Sequence, residues 1–428
     1  MAKIELMNKG LQDYAEIVGN DYIDKLKQIA KDSKTKRVFM VNSTKDGGGV
    51  AVLLSSIIPF LNNLGIETHW LDIKGDQEFF TATKSFHNGI QGEIIPDISE
   101  KIKSYEEFFE RRFWTYNQHL IEMLENLSEG DVVVMHDPQP LLLINMRKND
   151  GSKWIWRCHI DVSKPDETLW NFVSSLARKY DARIVSKEEF KDKSMDWYIM
   201  PPSIDPLTIK NIEMSKTEME EILSKFNISI SKPIISQVSR LDKWKDPVGV
   251  IDVFREVRKE KDCSLVLVYD GACDDPEGDM MLQKVLEAID GEYSDDIHLV
   301  VGDKEEVVNT FQSYSSVVLQ KSLKEGFALT VSEALWKATP VVASRVGGIP
   351  LQVIDGRNGY LVHPYNLNEE SEDRTDHIKK TAESVLDILN NQEKAEEMGI
   401  AAKEHVKENF LVTRQVKDYL NIFKDLNE

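Results

Sequence analysis

The stretch IISQVSRLDKWKDPVGVIDVFREVRKEKDCSLVLVY, residues 234–269, reads as strand, loop, helix and strand in succession. Residues 234–239 and 265–269 are short apolar runs rich in β-branched side chains, the pattern of strands covered on both faces. Between them Pro247 opens a segment, 247–259, whose apolar residues return at helical spacing. Two strands joined through one helix must lie parallel, because a tight turn joins only antiparallel neighbours. The same alternation extends outward in both directions. Further strands are expected at 37–42, 131–135, 154–159, 297–301, 317–320 and 340–343, with helices at 50–63, 305–314 and 329–337. Strands alternating with helices call for an α/β fold, with parallel sheets carrying helices on both faces.

At 428 residues the chain exceeds one ordinary core, and the common domain size of roughly 100 to 200 residues points to two. The proline-dense run Met200-Pro201-Pro202-Ser203-Ile204-Asp205-Pro206 can continue neither strand nor helix and suits a hinge. It separates a first domain, residues 1–205, from a second, 206–411, which opens with a charged amphipathic helix expected at 208–226. Residues 1–35 read as helical and polar, and a last helix is expected near 412–426. Two such halves in tandem place a cleft between the carboxyl ends of their sheets, where open parallel sheets bind ligands.

With 73 acidic against 53 basic residues, the net charge of −20 disfavours nonspecific binding to nucleic acid or anionic lipid. An anionic ligand then needs a local cationic cluster. No run approaches the ~18 to 20 apolar residues of a membrane span, and the N-terminus has no secretory pattern, so a cytoplasmic location is expected. Cys158, Cys263 and Cys273 have neither metal nor redox spacing and read as reduced structural thiols. The acidic run 368–376 reads as solvated surface.

Three segments carry chemistry. The first is Asn42-Ser43-Thr44-Lys45-Asp46-Gly47-Gly48-Gly49-Val50, a strand-to-helix turn whose glycines admit a close neighbour while the helix N-terminus offers N–H groups to an anion. The second is Ser239-Arg240-Leu241-Asp242-Lys243-Trp244-Lys245-Asp246-Pro247, which places Arg240 and Lys245 at a strand's carboxyl end, where two cations can clamp a diphosphate. The third is Glu325-Gly326-Phe327-Ala328-Leu329-Thr330-Val331-Ser332-Glu333-Ala334-Leu335. Glu325 precedes a helix and Glu333 lies about two turns inside it, so the carboxylates are too far apart to touch but can grip different parts of one elongated ligand. The amides of Phe327, Ala328 and Leu329 face the same ligand from the positive helix end. Taken singly, a tight turn, solvated charges and helix caps account for these segments equally well. His159, at the end of an aromatic-rich strand, and His136 read either as hydrogen-bonded core or as site residues, while Trp154, Trp156 and Trp336 read as packing.

Together, the glycine-rich loop, Arg-x4-Lys and Glu-x7-Glu resemble retaining glycosyltransferases of the GT-B type, with two Rossmann-like doubly wound domains facing across a cleft. That group includes sucrose synthases and bacterial mannosyltransferases. The segments 42–52, Phe86-His87-Asn88, His136-Asp137-Pro138-Gln139-Pro140, Trp156-Arg157-Cys158-His159-Ile160-Asp161, 201–206, Asp274-Asp275-Pro276-Glu277-Gly278 and 325–348 are similar to trehalose synthases and their sister trehalose phosphorylases. The resemblance covers residues 37–415. It implies that Arg240 and Lys245 bind the donor diphosphate, Glu333 the ribose hydroxyls and Glu325 the donor sugar's 3-hydroxyl, with His159 near its 6-hydroxyl. It implies that Gly47, Gly48 and Gly49 cradle the phosphates and that Gly326, Phe327, Ala328 and Leu329 line the donor. Asp137, Gln139, Asp161 and His87 become the acceptor candidates, and the helix at 412–428 returns to complete the first domain. Two positions depart from the family's pattern: Ala328 replaces a frequent glycine, and Val52 a usual glutamate.

The implied reaction moves glucose, with retention and reversibly, from a nucleotide-diphosphate glucose to glucose, giving α,α-trehalose. The partners expected are that donor and glucose or trehalose, with neither nucleic acid nor membrane, and a homodimer as the candidate assembly. No metal is assigned and no cofactor is required, Mg2+ being at most stimulatory. The alternatives are a trehalose phosphorylase, a transferase with another small acceptor, a sugar-nucleotide epimerase of the same fold and a noncatalytic sugar-nucleotide sensor.

Overall fold

Branched apolar side chains crowd the strands of both halves. The first half holds Arg37–Asn42 (β1), Glu67–Asp72 (β2), Asp131–His136 (β3), Lys153–Arg157 (β4), Ala182–Val185 (β5) and Tyr198–Ile199 (β6). The second holds Ile234–Val238 (β7), Ser264–Tyr269 (β8), Ile297–Val301 (β9), Val317–Gln320 (β10), Val341–Ser344 (β11) and Gly359–Val362 (β12). The computed structural model describes residues 9–45, 47–269, 276–365 and 372–428. Asp46, Cys273, Asp274, Asp275 and residues 368–371 of the acidic run lie outside them.

Each half forms one parallel sheet, in the order β2-β1-β3-β4-β5-β6 and β12-β11-β10-β7-β8-β9. Every residue of β3 and of β7 is buried, as a strand sandwiched between helical layers requires. The chain divides into two compact units, one running through Ser203 and including Val412–Glu428, the other spanning Ile204–Leu411. In the first unit the helix Val412–Asn427 packs on the helix Asn20–Asp32 and buries Tyr419, Leu420 and Phe423 completely. The preceding helix, Leu11–Val18, sets Tyr14 edge-on against Phe60, with ring centroids 4.6 Å apart.

Most expected elements match within one or two residues, the usual ambiguity of helix and strand ends. Two readings need correction. The strand expected at 154–159 ends at Arg157, which leaves His159 in the loop beyond it. The helix expected at 208–226 is confined to Lys216–Lys225. Asp205 folds the chain back before it, accepting from Leu207 N at 2.9 Å through its carboxylate and from Asn211 Nδ2 at 2.9 Å through its carbonyl. Ser215 and Glu218 then form a reciprocal capping box that starts the helix. Strands β2, β5, β6 and β12 were not anticipated; β2, β6 and β12 carry polar or half-exposed residues at sheet edges, where apolar patterning is not needed on both faces.

Because Ser215 satisfies helix amides that no upstream turn supplies, Ser215→Ala should destabilise the second unit by about 1 kcal/mol. Urea unfolding of the variant checks this; an unchanged midpoint would place the helix start elsewhere.

Candidate active site

In the second sheet β7 and β10 are neighbours, and the chain lays β8 and β9 on one side of the pair before returning to lay β11 and β12 on the other. A ligand crevice opens beyond the carboxyl ends of strands at such a reversal. The loops leaving β7 and β10 there carry Lys245 and Glu325. Lys245 Nζ donates to Glu325 Oε2, and both side chains are largely enclosed, at 15% and 11% exposure. Asp242 Oδ1 accepts from the amides of Trp244 at 2.8 Å and Lys245 at 3.1 Å, and Gln237 reaches from β7 to the Lys245 carbonyl at 2.8 Å. The second loop is tied to the first where Leu323 N donates to Trp244 O at 2.7 Å. Arg240 stands apart: its side chain is 75% exposed and lies 3.4 Å from the Asp242 carboxylate.

Glu333 lies on the helix Leu329–Trp336, away from Glu325, and is buried. Gln312 Nε2 donates to its Oε2 at 3.0 Å and Lys210 Nζ lies 3.5 Å from its Oε1. Lys337 donates to Gln312 Oε1 at 2.9 Å and so fixes which way that amide faces. Burial lowers the Lys337 ammonium to about 7, against the opposing pull of Glu333.

The first sheet has its own reversal at β1 and β3. Beyond β1, Gly47 (φ 72°) and Gly48 (φ 79°) are exposed in the left-handed region, and Gly47 is the N-cap of the helix Gly48–Asn63. Gly49 is likewise exposed, and Val52, on the same helix, is 48% exposed. Beyond β3 the chain turns at Asp137 (φ 63°), whose Oδ1 accepts from the His159 amide at 2.8 Å. His136 Nδ1 and His159 Nε2 are 3.0 Å apart and their rings stack at 5.3 Å. Burial, reinforced by the Arg157 cation, holds His136 down to about 3 and His159 well below the ordinary histidine range, so both rings are neutral and one donates to the other. Burial pushes Asp137 up to about 6 against the pull of the His159 amide and Arg157.

Gln139 sits in the same β3 loop with its Oε1 buried, and its carbonyl accepts from Tyr105 at 3.1 Å. Asp161 accepts from Ser163 N at 2.9 Å within its own loop, and His87 meets Gln91 at 3.2 Å in the last turn of the helix Gln77–Ile90. Thus Asp137 and His159 come together, as do Lys245 and Glu325, whereas Asp161, His87, Arg240 and Glu333 each have separate partners. Trp154 and Trp156 are fully buried packing residues, Trp336 donates to Asn211 O at 3.1 Å, and Cys158 and Cys263 are buried free thiols.

Residues 40–192 match the family described as trehalose synthase, N-terminal domain, and residues 218–405 match glycosyl transferases group 1. A trehalose synthase of Thermococcus litoralis is 41% identical over 421 residues, 97% of this chain and 96% of that protein. The chain belongs to the trehalose synthase family. It is an enzyme, a glycosyltransferase of the trehalose synthase type. A trehalose phosphorylase of Pleurotus pulmonarius is more distant, 27% identical over 85% of this chain and 55% of that protein. Among solved structures, an α,α-trehalose-phosphate synthase (UDP-forming) from Burkholderia xenovorans in complex with glucose-6-phosphate superposes with a TM-score of 0.68 over 90% of this chain and 99% of that one. At 13% identity this likeness concerns the fold, which is GT-B. No helix among the described residues is long and apolar enough to cross a membrane.

Three features of this trehalose synthase family member escaped sequence reading. Arg157 is fully buried in β4 and donates to Met200 O at 2.7 Å and Ser186 Oγ at 3.1 Å; its signal was an arginine set among tryptophans in an apolar strand. Gly347 (φ 53°) and Gly348 lie against the Glu325 loop: a Cβ on Gly347 would stand 2.0 Å from Glu325 O, and Gly348 N donates to Gly326 O at 2.7 Å. Ala328 occupies the left-handed region (φ 66°), which explains why glycine is the usual residue there in the family's pattern.

Gly347→Ala must therefore displace Glu325, and sugar-transfer turnover should fall at least about tenfold, since misplacements of about 1 Å at reacting groups cost as much; steady-state kinetics on the folded variant test it. The neutral histidine pair sets a pH dependence. An unfolded histidine takes up a proton near pH 6.5, whereas native His136 does not until about 3, so the unfolded state binds more protons and stability falls as pH drops below about 6.5. Asp137 acts oppositely, contributing stability that is lost as pH rises toward about 6, but it is one group against two. The Tm should fall between pH 7 and 4.5, and fall less in His136→Asn.

Proposed function

We propose that this enzyme transfers glucose from a nucleotide-diphosphate glucose to glucose, with retention and reversibly, forming α,α-trehalose. The observation that carries the reading is the Lys245–Glu325 pair at the β7–β10 reversal, a cation and a carboxylate 80 residues apart in the chain that the two loops bring together. A glucosyl diphosphate offers the two groups such a pair suits: phosphate oxygens for the cation and sugar hydroxyls for the carboxylate. In this reading Lys245 and Arg240 hold the diphosphate, and the exposed Arg240 is free to swing toward it. Glu325 takes the sugar's 3-hydroxyl, Glu333 the ribose hydroxyls, and the amides of Gly326 to Leu329 line the donor. Gly47, Gly48 and Gly49 offer amides to phosphate, His159 serves the 6-hydroxyl, and Asp137, Gln139, Asp161 and His87 recognise the acceptor.

As the bond from the anomeric carbon to the diphosphate breaks, the acceptor oxygen bonds to that carbon from the same face and its proton passes to the departing diphosphate. Charge develops on the leaving group, where Lys245, Arg240 and helix N-termini stabilise it. In this reading those cations supply the charge that a metal otherwise would, so no cofactor is required and Mg2+ at most stimulates. The second reading is a phosphorylase, favoured by the related trehalose phosphorylase; it would split trehalose with phosphate to give glucose 1-phosphate and release glucose.

Incubating the protein with ADP-, UDP- and GDP-glucose, each with and without glucose, and resolving the products by proton NMR decides between them. A nonreducing α,α-linked disaccharide that forms only with both substrates is expected, and Lys245→Ala should slow it by about 10²-fold or more. Glucose 1-phosphate from trehalose and phosphate, with no disaccharide from any donor, would replace this reading by the second.

A further inference from the structure

The buried ion pair between Lys321 and Asp246 has no part in the chemistry above. Lys321 directly follows β10 and Asp246 directly follows Lys245. Lys321 is 1% exposed, and its Nζ donates to Asp246 Oδ2. The Tyr365 hydroxyl donates to the same oxygen at 2.9 Å, and the Lys321 ammonium lies 4.5 Å from the Tyr365 ring centroid. Asp246 Oδ1 accepts from Gly249 N at 3.1 Å, capping the helix Pro247–Arg258.

Enclosing a lysine and an aspartate carries a desolvation cost for each, so a buried ion pair is weak evidence for stability and better explained by the geometry it specifies. Here the surroundings are shaped to it. A Cβ on Gly249 would stand 2.2 Å from Asp246 Oδ2 and 2.5 Å from Lys321 Nζ, so the first turn of the helix lacks a side chain where the pair lies. Asp246 is also held at φ 49°, a left-handed conformation that aspartate tolerates better than most residues. The chain neighbour of Asp246 is Lys245, and Glu325 lies four residues beyond Lys321, so the pair bolts together the two loops whose tips meet as Lys245 and Glu325.

We propose that Lys321 and Asp246, closed over by Tyr365, are positioning residues that set the placement of Lys245 relative to Glu325 and act on sugar transfer through Lys245. The proposal rests on the reading that Lys245 and Glu325 hold the donor. Its test is a double-mutant cycle, with kcat and the KM values for donor and acceptor measured for Lys321→Met, Lys245→Ala and the double variant, each verified as folded by circular dichroism. Lys321→Met should lower kcat or raise the donor KM by between about 10-fold and 10²-fold while the acceptor KM holds, as a misplacement of about 1 Å does. In the Lys245→Ala background the same change should cost little more, because residues that act through one another are not additive. A merely structural pair would instead give independent, multiplying losses, and that result, or unaltered kinetics in folded Lys321→Met, overturns the proposal. Should Lys321→Met not fold, Tyr365→Phe, which removes one hydroxyl from Asp246, carries the same cycle with a smaller loss expected. Near-normal turnover in Lys245→Ala would overturn the donor-site reading itself, whereas a crippled Lys245→Ala beside unaffected Lys321→Met and Tyr365→Phe would overturn the pair alone.

Discussion

Parallel pairing brings every strand of a sheet to an end on the same edge, and that constraint organises the whole of this enzyme. Once β7 and β10 pair, the loops that follow them must emerge side by side, although Lys245 and Glu325 are 80 residues apart in the chain. The same logic sets the turn after β1 beside the turn after β3 in the first unit. Helices on both faces of each sheet leave the carboxyl edge as the place where irregular backbone and polar side chains concentrate.

Electrostatics at that edge is local. The chain carries a net charge of −20, yet Arg240, Lys243, Lys245, Lys321 and Lys324 are gathered around the loops after β7 and β10. Burial decides what each charged group does. Lys321 is enclosed and engaged with Asp246, which ties it to the scaffold, while Arg240 remains in solvent. In the first unit burial acts on the histidine pair instead, keeping both rings uncharged beside the buried Arg157 and making them hydrogen-bonding groups rather than cations.

How legible an element was depended on where it lies. Central strands such as β1, β3 and β8 carry apolar runs of four or five residues because both faces are covered, and their limits were read to within about a residue. Edge strands carry a weaker pattern, and β2, with glutamate, histidine and aspartate among its six residues, was missed. Residues 208–215 fit a helical pattern by composition, but side-chain bonds from Asp205 and the Ser215 cap confine the helix to later residues, a competition between local hydrogen bonds that periodicity does not register.

The sequence by itself determined the alternation of strands and helices, the proline-dense run 200–206 as a hinge, and the three loops that carry glycines, cations and carboxylates, because each is written in contiguous residues. Motif resemblance added the family. Only the tertiary structure decided that Lys245 meets Glu325 while Arg240 stays exposed, that Gln312 and Lys337 orient Glu333, that His136 pairs with His159, and that Gly249 and Gly347 make room for groups far along the chain. Those contacts join residues brought together by strand order and burial, and neither is encoded in the local spacing of side chains.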